Sequence, residues 1–224
     1  NMKDFIKAKK LRDSWSNFGL SYFKISELSC DVMKKSADEE RDAKILDLYM
    51  PTLFNIKHGI EIFLKCFIVI LEENELEKNK QHHRQSEIFK EIIRLVKTKK
   101  IENVIQKASE KNKNRKDWKR CSERVQDFDK KLENLESLIS RYQTLQFLKS
   151  KIANNFSIED SENTAFKYPQ NNLQVHLDYG KILKNITEED IDDLCKDIRK
   201  LQSVLIDFWM IFYCYIEIKN TLND

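Results

Sequence analysis

Only five of the 224 residues are glycine or proline, three of the first and two of the second. Average usage would place about 27 in a chain of this length. Glycine supplies the positive-φ positions of tight turns and proline interrupts helices, so a chain poor in both reverses direction rarely. That disfavours a sandwich, a barrel or a doubly wound sheet, all of which depend on many short reverse connections. Lysine, glutamate and leucine, which lose little freedom in a helix, fill long stretches instead. The expectation is an all-α helical bundle, a single domain over residues 1–224, long enough to bury one sizeable core.

Apolar spacing marks the helices. Trp15, Phe18, Tyr22, Ile25, Leu28 and Val32 recur at steps of three and four, predicting an amphipathic helix from Leu11 to Lys34 with that stripe towards the core. Ser36 to Glu39 resembles a capping box for the next helix. Pro51 then either kinks that helix or opens a new one. The greasy run Asn55 to Glu73 follows, and Glu72 to Lys80 reads as a loop. Ile88, Phe89, Ile92, Leu95 and Val96 predict a short helix, and Ile101 to Ala108 a weaker one before the basic loop KNKNRK.

The most regular pattern is Trp118, Cys121, Val125, Phe128, Leu132, Leu135, Ile139 and Tyr142, a heptad seam. It reads as antiparallel packing inside a bundle, with a coiled-coil dimer seam as the alternative. From Phe156 to Gly180 the periodicity fails, predicting a long irregular loop before the last helix, with a short extended piece at Phe166 to Tyr168. Thr187 to Asp190 forms a second capping-box pattern. It opens a helix reaching Lys219 whose stripe is Leu194, Ile198, Leu201, Leu205, Phe208, Phe212 and Tyr215. The second half of that helix is apolar on most sides, which predicts a central position.

Forty basic and 37 acidic residues give a net charge of +3. The balance is uneven, because Lys97 to Arg124 holds eleven basic and four acidic residues. With Trp118 as its only aromatic, this run reads mainly as a solvated mobile loop. Lys113, Arg115, Lys116 and Lys119 are its candidates for an RNA backbone. The five cysteines, Cys30, Cys66, Cys121, Cys195 and Cys214, are widely spaced with no CxxC pair. They predict buried free thiols in a reducing compartment, with neither a disulfide framework nor a zinc site. The start NMKDFIKAKK has no apolar run of leader length, and Val204 to Ile216 is short for a bilayer and contains Asp207. A cytoplasmic protein with no membrane partner is the expectation.

Polar residues on the greasy helix are the main chemical candidates. His58, Glu61 and Lys65 lie three and four residues apart and share one helix face. Glu61 and Lys65 have the favourable order for an ion pair, which predicts a solvent-facing or interhelical polar stripe. The alternative is a polar cluster in a groove with His58 as ligand or acid–base group. His82, His83 and Arg84 are adjacent, so their side chains diverge, and no HExxH spacing exists. No metal, no cofactor, no P-loop and no GxSxG nucleophile is read from the chain.

Three stretches together resemble the HEPN-domain family. KHGIEIFLKCFIVILEE resembles that family's helix with the pattern H-x-x-E-x-x-x-K. HHRQSEIFKEI is similar to the H-[DN]-L-x-x-L segment that follows it, and DSENTAFKYPQNN to a D-x-x-S…F-R-Y-P stretch with Lys167 in place of Arg. The order and spacing match from about Trp15 to Ile218. The resemblance implies an up–down four-helix core and a bacterial or archaeal defence or toxin–antitoxin setting. It also implies partners in the form of a second copy, an RNA or another protein. Many members are metal-independent ribonucleases marked by an Arg with four to six residues before a following His. The positions that would carry this Arg before His58, His82, His83 and His176 hold Pro51, Thr52, Leu53, Glu75, Leu76, Glu77, Lys78, Pro169, Gln170 and Asn171. The resemblance therefore implies a noncatalytic binding or assembly module. The competing expectation is a divergent ribonuclease with His58, Glu61, His82 or His83 as acid–base groups and Arg84 or Lys65 on the phosphate. Phe166 and Tyr168 are expected to plug the bundle end, with Pro169 stopping the extended piece, or else Lys167 and Tyr168 to line a groove beside the His58 helix.

Overall fold

A helix of good formers continues until something stops it, and little in this chain does. The computed structural model describes residues 2–36, 38–73, 84–143 and 183–223. Among these it has seven helices and no strand: α1 Met2–Lys35, α2 Asp38–Glu72, α3 Gln85–Lys99, α4 Ile101–Lys111, α5 Lys116–Arg124, α6 Phe128–Gln143 and α7 Glu188–Asn223. The predicted irregular loop with its extended piece at 166–168, and most of the predicted Glu72–Lys80 loop, lie outside the described residues.

Positive-φ turns prove less scarce than glycine. Glu73, Lys100 and Asp127 adopt φ values of 60°, 50° and 54° where α2 ends, between α3 and α4, and between α5 and α6. A residue with a Cβ pays roughly 1–2 kcal/mol for this conformation, which packing of the flanking helices offsets. The two described glycines sit instead inside helices, where α1 and α2 cross. A Cβ on Gly19 would come within 2.7 Å of the Phe63 ring, and one on Gly59 within 3.0 Å of the Phe23 ring. Each helix thus gives the other a glycine to receive a phenylalanine, and the two rings lie 5.9 Å apart.

That crossing overturns the expected core face of α1 at four of its six positions, while Trp15 packs partly against the core and Tyr22 is half-buried. The buried side of the helix is Gly19, Phe23, Ser26, Cys30 and Met33, again at steps of four and three. Phe18, Ile25, Leu28 and Val32 are about half exposed instead. The close approach selects small residues, and the buried Ser26 hydroxyl donates to the Tyr22 carbonyl at 2.8 Å. The buried Cys30 and Cys195 thiols lie beside one another between α1 and α7.

Pro51 neither starts nor ends a helix: α2 runs through it. The missing N–H removes the usual helical partner of the Asp47 carbonyl, and both residues are exposed, so water replaces that bond at little cost. Ser36 does not cap α2. Its hydroxyl donates back to Val32 O on α1 at 2.8 Å. The second capping box is formed, with the Thr187 N–H donating to Asp190 Oδ2 at 2.7 Å and the Asp190 N–H to Thr187 Oγ1 at 3.2 Å.

All eight heptad positions from Trp118 to Tyr142 are buried within the chain. The pattern crosses a helix break, however, because α5 ends at Arg124 and α6 begins at Phe128. α5 packs on α4 and α7, and α6 on α2 and α7. α7 occupies the centre, touching α1, α2, α4, α5 and α6, and its seven predicted stripe residues are all buried. Phe67 of α2, Phe128 of α6, and Phe208 and Phe212 of α7 form one ring cluster at centroid spacings from 5.2 to 6.4 Å. By length and composition α7 could cross a membrane, with a window of mean hydropathy 1.4, half of which is buried in the bundle. Asp207 inside it pairs with Arg124 of α5.

The cysteine expectation is corrected in part. Cys30, Cys66 and Cys195 are buried thiols outside any disulfide, but Cys121 and Cys214 form a disulfide between α5 and α7, 93 residues apart in sequence. Spacing gave no hint of it, since the packing of α5 on α7 is what brings the two together. In the chain-entropy picture, closing a loop of that length contributes about 4–5 kcal/mol. Thiol titration of unfolded, unreduced protein should therefore count three thiols, rising to five after reduction; five before reduction would remove the bond.

Candidate functional site

The greasy character of α2 around His58 means that its polar side chains are carried inward with the rest. Every residue from Gly59 to Leu71 is buried. Glu61 is 2% exposed and Lys65 7%. Lys65 Nζ donates to Glu61 Oε1 at 2.6 Å, one helical turn away. The pair lies within α2 and is buried rather than solvent-facing. Each charge neutralises the other, because an isolated ion this deep would lose several kcal/mol of hydration.

His58 stands at the edge of this pair. Its Nδ1 lies 3.8 Å from Glu61 Oε2, and about a third of its side chain reaches solvent. The imidazole is fixed by two rings: Tyr22 of α1 meets it edge-on at 4.6 Å, and Phe54 stacks on it at 5.9 Å with 6° between the planes. A carboxylate beside one ring nitrogen and aromatic walls on two sides orient this histidine, whichever part it plays.

The start of α3 is tied to the same region. Gln85 is 1% exposed and donates through Nε2 to the Lys57 carbonyl at 2.6 Å. The bond joins the second sequence motif to the first. Arg84, directly before it, is exposed and pairs with Glu87 at 3.5 Å. His82, His83, Lys167 and Tyr168 lie outside the described residues.

The basic run is folded, which corrects the mobile-loop expectation. Ile101, Ile105 and Ala108 bury one face of α4, and Trp118 and Cys121 one face of α5. Lys113, Arg115, Lys116 and Lys119 are exposed around the α4–α5 turn. Arg115 is already engaged: it pairs with Asp117 at 2.8 Å and lies 4.5 Å over the Trp118 ring. The Arg115 guanidinium holds the Asp117 carboxyl below its usual range.

A second buried polar cluster escaped the sequence reading. Asp197 of α7 is 6% exposed, accepts the Tyr142 hydroxyl at 2.8 Å, and pairs with Arg141. Burial pushes the Tyr142 phenol well above its usual range, and the neighbouring Asp197 charge adds to this. An acid beside Leu194, Ile198 and Leu201 was the available signal. A cavity of about 540 Å³ lies away from His58, lined by Arg124, Lys131, Arg199, Asp207 and α7 residues. Among the described residues no cluster of three or more His, Cys, Asp or Glu side chains is arranged to hold a metal. No known family, curated protein or solved structure matches the chain.

Proposed function

We propose that this protein is a noncatalytic binding and assembly module of HEPN-like type, built on an up–down four-helix core. The observation that carries the reading is the burial and mutual neutralisation of Glu61 and Lys65. Acid–base or phosphate-stabilising groups have to reach substrate, and these two are closed off inside the bundle. Support for the HEPN-like part comes from the shared face of His58, Glu61 and Lys65 and from the Gln85 bond that docks the following motif on it. An RNA backbone is the candidate ligand for Lys113, Lys116 and Lys119, which are exposed on one turn.

The purified chain is expected to leave single-stranded and structured RNA intact and to bind it with steep salt dependence. Replacing Lys113, Lys116 and Lys119 by glutamine should reduce the log–log salt slope by about two, since each phosphate contact to a single strand contributes about 0.7. An unchanged slope would place binding elsewhere. The ribonuclease reading retains one supporting observation, the partly exposed His58 with a carboxylate 3.8 Å from Nδ1. Cleavage of RNA but not DNA, abolished in His58→Ala, would establish that reading and end the noncatalytic one.

A further inference from the structure

The outward side of α1 carries a row of exposed apolar side chains. Phe18, Ile25, Leu28 and Val32 are 53%, 48%, 57% and 46% exposed. With Ser21 and Lys35 they occupy the a and d positions of a heptad. The opposite face of the helix already packs on α2 and α7. Beside the stripe, Ile25, Leu28, Ser29 and Val32 form a shallow groove with Lys44, Asp47 and Leu48 of α2, about 360 Å³ in volume.

We infer that this face pairs with the same face of a second copy of the chain, with the two α1 helices antiparallel about a two-fold axis between Ser26 and Glu27. Four half-exposed side chains of this size present roughly 400 Å² of apolar surface, the scale at which a patch marks an interaction site. Doubled and given a polar rim, it reaches the roughly 1,200 Å² at which specific interfaces begin. In this register Ile25 meets Leu28 of the second copy and Leu28 meets Ile25, while Val32 lies over Ser21. Lys24 and Asp31 share the flanking heptad position, seven residues apart, and neither makes an ion pair among the described residues. Antiparallel pairing sets each Lys24 beside the other copy's Asp31, giving two such pairs along one flank, one on either side of the two-fold axis. A parallel pairing would set neither opposite the other, so charge selects the antiparallel one.

This surface rests on the assembly reading above, and the two can fail separately, because mass reports pairing while RNA assays report binding and cleavage. Sedimentation of the full chain from about 1 to 100 µM should show mass rising from 26.8 kDa towards twice that value. Ile25→Glu with Val32→Glu should hold it monomeric throughout. Both positions are half exposed, so the helical circular dichroism and melting of these variants should be retained. Lys24→Asp should weaken dimerisation at least tenfold, and adding Asp31→Lys should restore it. A wild-type chain that stays monomeric to 100 µM overturns the proposal, whether or not the face binds another protein or lipid vesicles. A dimer that persists in the double glutamate variant, or a Lys24→Asp defect that Asp31→Lys fails to repair, overturns it as well.

Discussion

Lys65→Met is expected to lower the stability of the protein by about 3–5 kcal/mol, although methionine fills nearly the same space. The loss arises from the partner left behind. Glu61 is 2% exposed and its Oε1 accepts from Lys65 Nζ at 2.6 Å; without that ammonium the carboxylate must stay charged in an apolar setting or bind a proton. His58, at 3.8 Å and at the edge of the cluster, cannot replace it in full. Glu61→Leu combined with Lys65→Met should recover at least 2 kcal/mol relative to the single variant, since replacing both ions of a buried pair with apolar residues is often neutral. Urea unfolding of the four members of this cycle measures the coupling. A single-variant loss under 1 kcal/mol would mean that the pair is hydrated, and the burial argument for a noncatalytic site would fall with it.

Phe67→Ala should have an effect of similar size, about 3–5 kcal/mol. Its ring is fully buried and lies 6.1 Å from Phe63, 6.3 Å from Phe208 and 5.2 Å from Phe212. Phe208 and Phe212 in turn meet Phe128 of α6 at 5.6 and 6.4 Å. One side chain thus links α2 to α7 at a point where α6 also packs. Truncation removes its transfer energy and leaves a cavity bounded by rings on different helices, which cannot all move in together. Phe67→Leu, which keeps most of the volume, should cost about 1–2 kcal/mol. Thermal and urea unfolding would check both, and an alanine loss below 2 kcal/mol would show that the cluster collapses around the gap.

Much of the helical architecture could be read from the chain because the relevant signal is local. The α7 stripe from Leu194 to Tyr215 is buried at every predicted position. The heptad from Trp118 to Tyr142 is buried at all eight, although its periodicity did not reveal the break near Asp127. A heptad survives a break when both pieces face the same neighbour, as α5 and α6 both face α7. The candidate site was legible as a set and misleading as an environment. His58, Glu61 and Lys65 do share a face, but spacing alone left open whether that face met water or another helix. The Asp197–Tyr142–Arg141 cluster joins residues 55 and 56 positions apart, a separation at which no short motif exists.

The sequence by itself determined that the chain would be helical, because glycine and proline are scarce and apolar residues recur at helical spacing. Those properties act within a turn or two of backbone. Tertiary structure decided which face of each helix became the core. On α1 four large apolar side chains, Phe18, Ile25, Leu28 and Val32, remain about half outside, while Gly19, Ser26 and Cys30 go inside with Phe23 and Met33. The reason is geometric: close crossing with α2 needs room for Phe63 and Phe23, and small residues provide it. Burial energy depends on the partner surface as much as on the side chain's own hydrophobicity, and the partner is fixed only when the helices meet.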